Sequence, residues 1–170
     1  MVPDLIAYIF GCPNSGKTTL RNALSERHKK FVSRCIDDYR KEFSNGTVCG
    51  EAHAQTEMTK EITHTKKGFF ESSGTGSATI DATTTNKGRN QKIIVLYVPV
   101  NVSVDRMKPD KYDNIPFPFK GDDVGTINRI YYNLYTDLFP LHYPNIPVIY
   151  IDGTLPIAEQ IAIAEDFLGL

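Results

Sequence analysis

The stretch Gly11-Cys12-Pro13-Asn14-Ser15-Gly16-Lys17-Thr18 constrains this chain more than any other. An apolar run, residues 5–10, leads into it, and Thr19, Leu20, Ala23 and Leu24 follow at helical spacing. A strand, a glycine-bearing loop and a helix in that order form the pattern of a nucleotide-phosphate cradle. Gly11 and Gly16 let backbone amides close on phosphate oxygens with no Cβ in the way. The first turn of the helix then aims unpaired N–H groups and partial positive charge at the anion. Lys17 is expected to reach the β- and γ-phosphates and the Thr18 hydroxyl to hold Mg²⁺. Asn14, Ser15 and Thr19 complete the expected cofactor-binding set with Gly11, Gly16, Lys17 and Thr18. The chain is therefore expected to bind a nucleoside triphosphate, ATP or GTP, together with Mg²⁺.

A length of 170 residues with 41% hydrophobic content suits one compact domain with a sizeable core, so residues 1–170 read as a single domain. No stretch approaches the roughly 20 apolar residues that crossing a bilayer requires, so no membrane partner is expected. Cys12, Cys35 and Cys49 cannot all pair and lack metal-ligand spacing, which favours a reducing compartment, the cytoplasm or nucleus. Net charge is −1, yet all 19 Lys and Arg lie at or before Arg129 together with 15 of the 20 acids, leaving 5 acids beyond it. A positive-leaning region around the phosphate loop would draw an anionic substrate, including a short nucleic-acid end. Chance asymmetry of a solvated surface is the alternative.

Strand-like runs recur at residues 5–10, 32–36, 78–80, 93–98 and 148–151, with helical sequence between them. That alternation predicts an α/β fold, a P-loop NTPase/kinase-like parallel sheet of about five strands flanked by helices. The polar segment 51–70 reads as helical, with Met58, Ile62 and Phe69 loosely on one side, and Ser72-Ser73-Gly74 breaks it. A better-defined helix over 124–139 carries Val124, Ile127, Tyr131, Leu134 and Leu138 as a core stripe, with Asp122 or Asp123 at its start. A last helix begins near Pro156. The segment 108–125, rich in proline and mixed charge, reads as a mobile loop, and with Arg106 it makes a lid over 106–125.

In an open parallel sheet ligands lie at the carboxyl ends of strands. Asp37-Asp38-Tyr39-Arg40 follows the second run. A carboxylate there could accept a proton from an attacking hydroxyl, and Arg40 could clamp an acceptor phosphate; alternatively Asp37 or Asp38 only caps the next helix. Asp81-Ala82-Thr83 follows the expected third strand, where an aspartate could serve a metal or its water, or could simply cap a helix. Arg106, after the fourth run, is placed to reach over the nucleotide or to sit in a surface ion pair.

The phosphate loop followed by Asp37-Asp38-Tyr39-Arg40 resembles the kinase domain of the phage-type 5′-hydroxyl polynucleotide kinases. The likeness extends more weakly to Ile80-Asp81-Ala82-Thr83 and to Val98-Pro99 with Arg106, and so covers about residues 5 to 135. It implies transfer of a γ-phosphoryl group to the 5′-hydroxyl end of RNA or DNA. Asp37 would be the general base and Lys17 and Arg106 the catalytic cations, while Arg40, Asp81 and Thr83 would bind the acceptor. The family's second lid arginine is missing; Lys108-Pro109-Asp110-Lys111 stands in its place. Two other readings stay open. A small-molecule kinase acting on a nucleoside, sugar or antibiotic, including the zeta-toxin and chloramphenicol phosphotransferase types, would share the loop and the post-strand aspartate. A GTPase-like switch is the other, although Asn86-Lys87-Gly88-Arg89 only imitates a guanine-reading motif.

Overall fold

The computed structural model describes residues 4–111, 113–116 and 124–170, with Leu138 and Pro140 described by backbone alone. Strand β1, Leu5–Gly11, is buried along its whole length and forms the centre of a five-stranded sheet. The other strands are β2 (Val32–Cys35), β3 (Lys67–Ser72), β4 (Gln91–Tyr97) and β5 (Val148–Asp152), in the order β2-β3-β1-β4-β5. Every pairing is parallel, with Ile9 beside Glu71 on one side of β1 and Phe10 beside Val95 on the other. Central parallel strands are covered on both faces, which is why β1 and β4 read as near-continuous apolar runs.

Eight α-helices and one π-helical turn complete the described chain. The α-helices are α1 (Lys17–Arg27), α2 (Ile36–Phe43), α3 (Val48–His64), α4 (Ser77–Thr85), α5 (Val100–Asp105), α6 (Val124–Asn133), α7 (Phe139–His142) and α8 (Ile157–Leu168). Leu20 and Leu24 of α1 and Ala164 and Leu168 of α8 fill one core with Leu5, Ala7 and Ile9. Ala54, Met58 and Ile62 of α3 fill the other with Ile6, Tyr8 and Phe10. Alternate residues of β1 thus feed opposite cores, as the two-residue period of a strand dictates.

Three expectations are corrected. The third strand is Lys67–Ser72, and residues 78–80 lie inside α4. The threonines of Ser77-Ala-Thr-Ile-Asp-Ala-Thr-Thr-Thr favour a strand locally. Tertiary packing overrides them, because Ala78 and Ala82, four apart, bury one helical face in the core. The polar helix therefore ends at His64, and Phe69, expected on it, is a strand residue packed on the opposite sheet face. The third correction concerns the stripe over 124–139. A π-helical turn, Leu134–Leu138, joins α6 to α7 and advances the phase by one residue, so Tyr135 and Phe139 are buried while Leu134, expected in the stripe, is only half-buried. The expected cap at Asp122 or Asp123 and the part of the lid at residues 117–123 lie outside the described residues. Among the described residues no helix is long and apolar enough to cross a membrane.

Candidate active site

The strand order places the carboxyl ends of β1, β2 and β3 side by side, and the expected phosphate loop leaves the first of them. Gly11 closes on its surroundings: a Cβ there would lie 2.5 Å from the Leu96 carbonyl oxygen and 2.6 Å from Ser15 Oγ. Gly16 has φ 98°, a left-handed conformation that favours glycine, and it caps α1 with no side-chain hydrogen bond. The first N–H groups of α1 consequently have no side-chain acceptor and face the loop. The Ser15 hydroxyl is buried and has no hydrogen-bond partner among the described residues.

Lys17 Nζ bends back to donate to the Cys12 carbonyl at 2.8 Å. Burial pulls its ammonium below the usual lysine range, opposed by nearby groups that include the Glu71 and Asp37 carboxylates. Thr18 and Thr19 are exposed at the start of α1. Thr18 Oγ1 donates to Glu71 Oε1 at 2.8 Å, and Arg21 Nε donates to Glu71 Oε2 at 2.9 Å. Glu71, near the end of β3, is the acid that the sequence reading missed. Its signal was the short apolar run Gly68-Phe69-Phe70 between Lys67 and Ser72-Ser73-Gly74, a buried strand too brief to stand out beside a long polar helix.

Asp37 and Asp38 separate cleanly. Asp38 is structural: its Oδ2 accepts from the Cys35 N–H at 2.8 Å and closes the capping box of α2. Asp37, one position earlier, takes no part in that cap, and its charge acts on both Lys17 and Lys111. Arg40 Nη1 donates to Asp37 Oδ1 at 2.8 Å, while Nε and Nη2 make a bidentate pair with the two oxygens of Glu51, each at 2.8 Å.

Asn14 fastens the loop to the segment after β4. Its Nδ2 donates to the Ser103 carbonyl at 2.9 Å, its own carbonyl accepts from Arg106 Nη1 at 3.2 Å, and its Oδ1 accepts from Lys111 Nζ. Arg106 Nη2 also reaches the Gly153 carbonyl at 3.1 Å. Burial, with the Lys17 ammonium next, lowers the Lys111 amine to about 8. Gly153 is a second residue the sequence reading missed, and a Cβ on it would lie 2.4 Å from the Ser15 carbonyl oxygen. The structure therefore brings Gly11, Asn14, Ser15, Gly16, Lys17, Thr18, Thr19, Asp37, Arg40 and Arg106 to one end of the sheet. It does not bring Asp81 and Thr83 there through a strand end: both lie on α4, Asp81 exposed and Thr83 Oγ1 bonded within the helix to the Ile80 carbonyl at 2.8 Å. The reading of Asp81 as a strand-end carboxylate serving a metal or its water rested on the misplaced third strand.

No family model and no curated protein matches the sequence. Solved structures do match it across nearly its whole length. A gluconokinase from Sinorhizobium meliloti 1021 superposes with TM-score 0.67 at 15% identity, covering 98% of this chain and 92% of that one. Shikimate kinase from Acinetobacter baumannii, in complex with shikimate, gives 0.66 at 19% identity, covering 99% and 94%. Deoxyadenosine kinase from M. mycoides, with bound dATP, gives 0.63 at 15% identity, covering 98% and 100%. The fold is that of the P-loop kinases.

The expected polynucleotide 5′-hydroxyl acceptor, and with it a role in RNA or DNA repair, is corrected here. These similar structures are kinases named for small molecules. Arg40, expected to grip a nucleic-acid phosphate, is instead held by two carboxylates of its own chain.

Proposed function

We propose that this chain is a small-molecule kinase, moving the γ-phosphoryl group of ATP or GTP to a hydroxyl of a small acceptor. The observation that carries the reading is the placement of Lys17, just after β1, and Asp37, just after β2, at the same end of the parallel sheet, with the charge of the carboxylate acting on the ammonium. Phosphoryl transfer asks for positioning and charge stabilisation rather than covalent help from the protein. Lys17 is to leave the Cys12 carbonyl for the donor phosphates, joined by the N–H groups of α1 and by Arg106. Asp37 Oδ2 is to take the proton of the acceptor hydroxyl, while Arg40, bonded to Oδ1, sets the orientation of that carboxylate. Arg40 is thereby a positioning residue.

The residues present suit Mg²⁺. Thr18 Oγ1 and Glu71 Oε1, 2.8 Å apart beside the loop, are the hard oxygen donors that this cation shares with substrate phosphates. When bound, Mg²⁺ neutralises charge on the triphosphate. The test is transfer of labelled γ-phosphate from ATP and from GTP to sugars, polyols and nucleosides, with a 5′-hydroxyl oligonucleotide as control. Transfer to a small acceptor, abolished in Lys17→Met, is the expected result. A protein that binds nucleotide yet phosphorylates none of the small acceptors would refute the reading.

A further inference from the structure

On the kinase reading the acceptor lies at Asp37, on the side formed by α2 and α3, which pack against each other. The polar floor of that side is a connected set: Asp37, Arg40, Glu51 and Gln55. Arg40 is the one cation of this set, and three of its nitrogens donate to carboxylate oxygens at 2.8 Å. The pair with Glu51 is the bidentate fork geometry that an arginine would otherwise offer to a substrate carboxylate or phosphate. It is also sheltered, the side chains of Arg40 and Glu51 being 16% and 13% exposed. Glu51 is held from its other side by Gln55 Nε2 at 2.9 Å, and Gln55 Oε1 accepts from the Ala78 N–H at 3.0 Å. Gly76 completes the brace, since a Cβ there would lie 2.8 Å from Gln55 Oε1. Swinging Arg40 toward an anionic ligand would leave a sheltered Glu51 carboxylate unpaired, a cost far above the gain from an exchanged ion pair.

We propose that the acceptor is an uncharged polyhydroxy compound, and that Glu51, by occupying Arg40, excludes the carboxylated or phosphorylated counterpart of the same compound. This rests on the kinase reading above and deepens it. An anion docking on this set meets an arginine whose fork is already occupied by two carboxylates. A neutral hydroxyl compound can donate to Asp37 at no such cost.

The experiment compares matched pairs: sorbitol with gluconate, and adenosine with adenosine 3′-monophosphate. Each is measured for binding by ligand-observed NMR and for kcat/KM as a phosphoryl acceptor. At least one neutral member is expected to bind and to exceed its anionic partner by about 100-fold or more in kcat/KM, the size of a charge mismatch in a sheltered site. Glu51→Gln, which keeps the shape and frees the guanidinium of a charged partner, is expected to shift that ratio toward the anion by at least about tenfold; thermal melting confirms that the variant is folded. Equal or better binding of the anionic member by the native protein overturns the proposal, and so does binding of neither member of either pair. An unchanged ratio in folded Glu51→Gln removes Glu51 as its cause. Binding of the neutral member without transfer upholds the charge preference and refutes the kinase reading instead.

Discussion

Replacing Glu71 by alanine isolates the acid that ties the phosphate loop to the sheet. The carboxylate is 9% exposed and accepts from Thr18 Oγ1 and Arg21 Nε, while the Arg21 side chain is 10% exposed. Truncation leaves a sheltered guanidinium with only the Ser33 hydroxyl, at 3.2 Å, among its described partners. Removing one member of a buried pair costs about 3 kcal/mol or more. For a domain of this size each kcal/mol moves Tm by about 2–4 °C, so a fall of about 6–12 °C is expected. The double replacement Arg21→Met with Glu71→Leu removes both charges and keeps the volume, and it should recover most of that loss. Calorimetry and urea unfolding of the two single variants and the double variant close a cycle whose coupling energy is read directly. Magnesium-dependent nucleotide binding should stay weakened in the double variant, because the carboxylate beside Thr18 is gone although the fold is restored. A Glu71→Ala loss below about 1 kcal/mol, or a double variant no more stable than the single, refutes the claim that this pair is a sheltered ionic contact.

Asp37→Asn should lower kcat by about 10²- to 10⁴-fold while nucleotide affinity, measured by calorimetry, stays nearly unchanged. Gly153→Ala places a Cβ 2.4 Å from the Ser15 carbonyl oxygen and should cost about 1–3 kcal/mol by overpacking, with weakened nucleotide binding as the companion reading. Lys111 titrates near 8 in the folded protein against an ordinary value of 10.5, so the unfolded chain binds the extra proton between those values. Stability from this group should rise as pH climbs from about 8 toward 10.5, and the rise should vanish in Lys111→Met. A triphosphate beside that amine restores its proton, so nucleotide binding near pH 8 should take up protons, detectable as a dependence of binding enthalpy on buffer ionisation.

The phosphate loop was legible because its chemistry leaves little choice of residue: glycine where a Cβ would strike the Leu96 carbonyl, lysine where a cation must reach phosphate. The parallel sheet followed from the apolar β1 and the apolar run 93–97 of β4. What stayed hidden depended on distant packing. Nothing in the tetrad Asp37-Asp38-Tyr39-Arg40 says which acid caps α2; the geometry of the turn at Cys35 decides it, giving the cap to Asp38 and leaving Asp37 out of it. Arg40 read as an anion clamp because its carboxylate partner, Glu51, arrives from a different helix. The third strand was misplaced because local threonine preference pointed to residues 78–80, whereas β1 required a partner supplied by residues 67–72.

The contacts at Asn14 explain how one loop can serve both as cradle and as latch. Its φ of 61° is a left-handed conformation that a non-glycine residue holds only when its surroundings fix it. The surroundings here are the Ser103 carbonyl, which accepts from its amide, and the cations Arg106 and Lys111, which sit on its two oxygens. Each of those cations and Lys17 makes a described bond to an uncharged oxygen of the loop, a weaker acceptor than phosphate. A triphosphate in the cradle offers each of them a charged oxygen in exchange for a neutral one, so binding transfers three hydrogen bonds from the loop to the ligand. Asn14 then keeps its bond to Ser103, and the segment after β4 stays tethered while its cations turn toward the nucleotide. Asn14→Ala should therefore weaken nucleotide affinity less than it slows transfer, since the cations remain available but lose the fixed point from which they are aimed. A variant that loses affinity and keeps kcat would place Asn14 among the simple phosphate ligands instead.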